Sequence, residues 1–101
     1  MAAYTIKNDL DLVRQIVLGR LKSYNVRVYL FGSRAAGKAR RLSDIDVAVL
    51  PLQPVPRYIF SEIRETLEES DVLYPVDLVD LSEADEKIRQ RVLKEGILWT
   101  E

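Results

Sequence analysis

The chain has 101 residues, 48% hydrophobic and 31% charged, the balance of one small globular domain rather than a disordered segment. Fifteen Lys and Arg against sixteen Asp and Glu leave a formal charge of -1, so no overall charge draws it to nucleic acid and no direct nucleic-acid binding is expected. Cysteine and histidine are both absent, which excludes disulfides, thiol nucleophiles and imidazole catalysis and leaves carboxylates, hydroxyls, lysines and backbone to do any chemistry. No apolar stretch approaches the ~18 residues of a membrane span and no signal-peptide core opens the sequence, so a cytoplasmic location without membrane contact is expected.

Leu10, Val13, Val17 and Leu21 recur at helical steps with Ile16 alongside, which predicts an amphipathic helix over about residues 9–23 capped by Asn8. Val26 to Phe31 is rich in β-branched and aromatic residues and stops at Gly32, the pattern of a strand. A small, basic, glycine-punctuated stretch follows from Gly32 to Ser43. A second strand runs from Asp44 to Leu50, with Val47 and Val49 on one face and Asp44, Asp46, Ala48 and Leu50 on the other. Pro51, Pro54 and Pro56 make a loop. Ile59, Ile63 and Leu67 mark a second helix, whose outer face carries Glu62, Glu65, Glu68 and Glu69. Val76 to Leu81 reads as a third strand. Ser82 with Asp85 suggests a capping box for a third helix, with Ala84, Ile88 and Val92 inward and Gly96 as its stop. Ile97 to Trp99 adds a short last strand. The expectation is a mixed α/β (α+β) domain over residues 1–101, a mixed sheet of three or four strands packed with three main helices.

Twelve residues separate Phe31 from Asp44, too few for a helical crossover but ample for an antiparallel return. That return sets Gly32-Ser33 beside the start of the second strand. The connection from Pro51 to Pro75 holds a helix and suits a parallel crossover, which lands Asp77 at the same sheet end. Asp44 and Asp46, two apart on a strand, project from one face about 6 to 7 Å apart. Aspartate suits strand interiors poorly, so a pair at the start of an apolar strand calls for a reason. Oxygen ligands so grouped suit magnesium, and two ions about 4 Å apart can clamp a phosphorus centre. Gly32 lets the backbone approach a ligand, Ser33 adds a hydroxyl and an N–H, and Arg34, Lys38, Arg40 and Arg41 make the stretch locally basic. Each feature alone has a plain reading as a turn, a solvated strand end or a surface loop.

Together, Gly32-Ser33-Arg34-Ala35, Ser43-Asp44-Ile45-Asp46-Val47-Ala48-Val49 and Asp77 on a later strand resemble the polymerase β-like nucleotidyltransferases, in particular the minimal nucleotidyltransferases (MNT), over nearly the whole chain. The resemblance implies that fold and a magnesium-dependent transfer of AMP from ATP to a hydroxyl. It casts Asp44, Asp46 and Asp77 as catalytic residues and ligands of two Mg2+ ions, with Asp77 helping to deprotonate the acceptor. Gly32 and Ser33 would grip the β and γ phosphates, with Arg34 and Lys38 as further nucleotide-binding candidates. It also implies a hetero-oligomeric pairing with a helical HEPN-domain toxin, a tyrosine of which would be the acceptor. Many members carry an arginine where this chain has Ala36. The rival expectation is a non-catalytic antitoxin that neutralises its partner by complex formation; a third is that the aspartates only solubilise strand ends. About 100 residues build little enclosing wall for a nucleotide cleft, so a second polypeptide is expected to supply the acceptor side, with Tyr58, Phe60, Leu98 and Trp99 as apolar residues a partner could reach, although Phe60 and Leu98 read more readily as ordinary core.

Overall fold

The computed structural model describes residues 6–35, 37 and 44–100. In chain order these form helix α1 (Ile6–Leu21), strand β1 (Val26–Phe31), the one-turn helix α2 (Gly32–Ala35) and strand β2 (Ile45–Pro51). Helix α3 (Arg57–Glu69), strand β3 (Val76–Asp80), helix α4 (Glu86–Glu95) and strand β4 (Ile97–Leu98) follow. The strands make one mixed sheet in the order β3-β2-β1-β4; β1 is antiparallel to both β2 and β4, and β2 is parallel to β3. Connection length accounts for both central pairings. The short β1–β2 link has no room for a crossover helix, whereas the β2–β3 link carries α3 and returns in parallel.

Two cores lie on opposite faces of the sheet. On one, Val13, Val17 and Leu21 of α1 and Ile59, Phe60, Ile63 and Leu67 of α3 pack on Val28, Leu30, Ile45, Val47, Val49 and Leu78. On the other, α4 alone contributes Val92 against Tyr29, Ala48 and Leu81. Strand β2 is buried on both faces from Val47 to Val49, as is Ile45. At about 1.5–3 kcal/mol for each large aliphatic side chain, a one-residue slip of β2 would forfeit most of the core, so its register is firmly set.

Several boundaries differ from the sequence expectation, each for a local reason. Helix α1 begins by Ile6, so Asn8 lies inside its first turn and does not cap it. Asp44 falls just outside β2, which starts at Ile45. The expected Ser82–Asp85 box does not form, because the Asp80 carboxylate accepts hydrogen bonds from Ser82 N (2.9 Å) and Ser82 Oγ (2.7 Å). Asp85 itself caps α4, accepting from Ile88 N at 2.9 Å. The helix therefore starts after Ala84, and Ile88 turns outward, 41% exposed, while Val92 is buried. Gly96 ends α4 with an ordinary φ of -72°; a Cβ there would collide with the Val92 carbonyl oxygen, so close approach and not a left-handed turn demands glycine. Trp99 is core rather than partner surface: it packs into the α1/α3 side, and its backbone N–H donates to Val28 O at 2.7 Å. Phe60 is likewise buried, whereas Tyr58 and Leu98 remain exposed. Among the described residues, no helix is long and apolar enough to cross a membrane.

One buried carboxylate joins distant parts of the chain. Asp9 is only 2% exposed, and its Oδ2 accepts the backbone N–H of Leu73 at 2.9 Å. This fixes the α3–β3 loop to α1 and turns the Leu73 side chain outward, 72% exposed. Asp9→Ala removes a charged acceptor and is expected to cost about 1.5–3 kcal/mol in urea unfolding; Asp9→Asn, which keeps an oxygen acceptor, should cost less.

Candidate active site

The β-pairing brings three chain segments to one level at one sheet end: Phe31 of β1 is opposite Asp46 of β2, and Asp46 is beside Asp77 of β3. Alternation along β2 and β3 sends Asp46 to the α4 side with Ala48, and Asp77 to the same side with Val79. Asp46 is half-buried; Asp44 and Asp77 are exposed. Burial pushes the Asp46 carboxyl above the usual carboxylate range, and repulsion from Asp77 and then Asp44 pushes it in the same direction. The structure thus brings the three aspartates into one electrostatic unit.

Gly32 completes this unit from the β1 side. Its φ of +76° lies in the left-handed region, and a Cβ at this position would overlap the Asp46 Oδ2 and stand 3.1 Å from Asp46 Cγ. Both the backbone conformation and the close approach require glycine. The turn that opens α2 therefore rests directly on the Asp46 carboxylate. Arg34, two residues on, lays its guanidinium carbon 4.8 Å from the centre of the Tyr74 ring. The Ser33 side chain, Ala36, Lys38, Arg40, Arg41 and Ser43 lie outside the described residues. Tyr74 gave no signal in the sequence: its link to Arg34 spans two loops, and a lone tyrosine before a strand is unremarkable.

The donor set consists of oxygen only, which suits a hard divalent cation. Among the described residues no three acidic side chains form a metal-binding cluster as they are oriented. Asp44 and Asp77, being exposed, can rotate at little cost, and a cation would offset both the burial and the neighbouring charge that raise the Asp46 pKa. On that electrostatic ground the residues fit a magnesium-type ion. Clefts of about 490 Å³, lined by Arg14, Lys22 and Trp99, and about 470 Å³, lined by Arg64, Glu68 and Tyr74, include none of the three aspartates.

Comparison with known proteins gives concordant results. The family described as "Polymerase beta, Nucleotidyltransferase" matches residues 19–101. The chain is 33% identical over 86 residues to the probable protein adenylyltransferase MntA of Haemophilus influenzae, spanning 85% of this chain and 74% of that protein. A chain of the solved complex of tri-AMPylated Shewanella oneidensis HEPN toxin with MNT antitoxin superposes with a TM-score of 0.62 and 28% identity, covering 89% of this chain and 71% of that one. A solved structure assigned as a minimal nucleotidyltransferase gives a TM-score of 0.72 at 26% identity over 96% of this chain and 98% of that one.

Gly32→Ala should displace the Asp46 carboxylate and leave the hydrophobic core intact. Magnesium affinity, read by isothermal titration, is expected to fall more than tenfold while thermal unfolding shifts only by the modest amount that a strained turn costs, about 1 kcal/mol. A second outcome follows from the raised Asp46 pKa. The folded state holds that proton more tightly than the unfolded chain does, so stability falls as pH rises from the ordinary carboxylate range through the raised value. In EDTA, Asp46→Asn should therefore raise the melting temperature at neutral pH, and the gain should vanish once the solution is acid enough to protonate Asp46 in both states.

Proposed function

Since this chain is a nucleotidyltransferase of the polymerase β family, we propose that it transfers AMP from ATP to a tyrosine hydroxyl of a HEPN-domain toxin and so acts as the antitoxin of that pair. One observation carries the reading: Asp46 is flanked in register by Asp77 on one side and by the Gly32 turn on the other, a carboxylate cluster abutting a backbone-lined turn. Covalent AMP on a HEPN toxin beside an MNT antitoxin, in the Shewanella complex, supports the acceptor class.

Asp44, Asp46 and Asp77 would hold magnesium, which when bound neutralises charge on the phosphates and eases ionisation of the acceptor hydroxyl. Gly32, having no side chain, lets the backbone of the turn lie directly against the Asp46 carboxylate, which sets its phosphate grip beside the metal-binding group. Gly32 and Ser33 hold the β and γ phosphates, which fixes the α-phosphorus at the sheet end. The acceptor oxygen then forms a bond to that phosphorus, and the bond to the bridging oxygen of the β-phosphate breaks, releasing pyrophosphate in line. In this reading Asp77, which is exposed on the edge strand, takes the hydroxyl proton. Positioning and charge stabilisation supply most of the acceleration in such a step.

The test is transfer from α-labelled ATP with magnesium to a co-expressed HEPN protein, read as label on protein. Wild type should label the partner, and Asp44→Asn and Asp46→Asn should each lower the rate by at least about a hundredfold with folding retained. Equal labelling by wild type and both variants would refute the assignment. Tight complex formation with no labelling by the wild type would establish the purely binding antitoxin instead.

A further inference from the structure

We propose that Arg34 and Tyr74 form a strap across the end of β2 that positions the Gly32 turn against the aspartates, so that Arg34 acts through placement and not by touching the triphosphate. The inference rests on reading that turn as the phosphate grip. Arg34 follows β1 and Tyr74 precedes β3, and β2 lies between those strands, so their 4.8 Å contact bridges the start of β2. It does so on the far side from the chemistry. Tyr74 and Ala35 pack against the core under α1 and α3, whereas Asp46 and Asp77 share the α4 side with Ala48 and Val79.

The backbone is held on both sides of Tyr74. Leu73 N is fixed by Asp9 at 2.9 Å, and Pro75 O accepts Ile45 N at 2.9 Å. A planar guanidinium over an aromatic face is attracted by the ring quadrupole, and arginine's weak hydration makes it better suited than lysine to that stacking. The strap thus links the α2 turn to β3, the strand that carries Asp77. Gly32 has no slack against Asp46, so small movements of α2 misplace the turn.

The experiment compares Arg34→Gln, Tyr74→Leu, Tyr74→Phe and the Arg34→Gln/Tyr74→Leu double variant of the full chain with its HEPN partner. It reads kcat and KM for Mg·ATP, melting temperature, and the NMR shifts of the Arg34 side chain. Arg34→Gln and Tyr74→Leu should each lower kcat about tenfold with KM within about twofold, as expected for misplaced reacting groups. The double variant should be no worse than either, and Tyr74→Phe should match wild type. Arg34 side-chain protons should show a ring-current shift in wild type and Tyr74→Phe that is lost in Tyr74→Leu. A roughly tenfold rise in KM for Arg34→Gln alone, with Tyr74→Leu silent, would make Arg34 a phosphate ligand and overturn the strap. Additive losses, or equal losses in Tyr74→Phe and Tyr74→Leu, would overturn it too. If the wild type transfers nothing, the nucleotidyl reading fails by itself, and the pattern of ring-current shifts then supports or overturns the strap.

Discussion

Asp46 is held where burial first, and then the neighbouring charges of Asp77 and Asp44, disfavour its ionised form, and the strand that carries it bears that cost. The central strand β2 carries Asp46 into partial burial, and the charges of Asp77 and Asp44 add to the desolvation it suffers there. Nothing local favours this. The offsetting free energy comes from the rest of β2, where Ile45, Val47, Ala48 and Val49 are all buried between the two layers of helices. A strand anchored on both faces cannot slide to separate the charges, so they stay together as the candidate site.

The same strand divides the labour of the molecule. Its odd-numbered side chains join the core beneath α1 and α3, while Asp46, Ala48 and Leu50 face α4. That second face is thinly covered, by a ten-residue helix contributing one fully buried side chain, Val92. Thin cover is what an open site requires, since a helix reaching further along the sheet end would occlude the aspartates. Gly96, which ends α4 against Tyr29 and Leu30 near the aspartate end of the sheet, sets that limit.

How much of this could be read from sequence depended on range. The strands and their pairing were legible because apolar alternation and connection length are local quantities, and they carried Asp44, Asp46, Asp77 and Gly32 to one end. Helix α4 was misplaced by a competition between neighbours: Asp80 claimed Ser82 before Ser82 could cap anything. Trp99 looked like partner surface because a C-terminal aromatic carries no mark of the core it enters. Asp9 did leave a signal, since it falls four residues before Val13 and eight before Val17 on the buried stripe, where a carboxylate must find a donor. Its donor, the Leu73 N–H, lies 64 residues away and could not be named. Arg34 and Tyr74 likewise meet only after the strands between them have ordered.

The edges of the sheet constrain how an acceptor can arrive. Along β3, Pro75 O and Leu81 N bond toward β2, so the backbone of the even-numbered residues between them faces outward. The outward Leu78 carbonyl is already taken by Arg64 Nη2 at 2.9 Å, which blunts this edge against strand addition. At the opposite edge β4 offers only two paired residues. A partner that added a strand to β3 would also have to dislodge Arg64 from α3, beside the core residues Ile63 and Leu67. Under the proposed transfer, an acceptor hydroxyl is therefore better delivered by a side chain from a separately folded surface, over the sheet end where Asp44 and Asp77 are exposed. The proposed helical partner, presenting a tyrosine, would meet that requirement without disturbing a single strand.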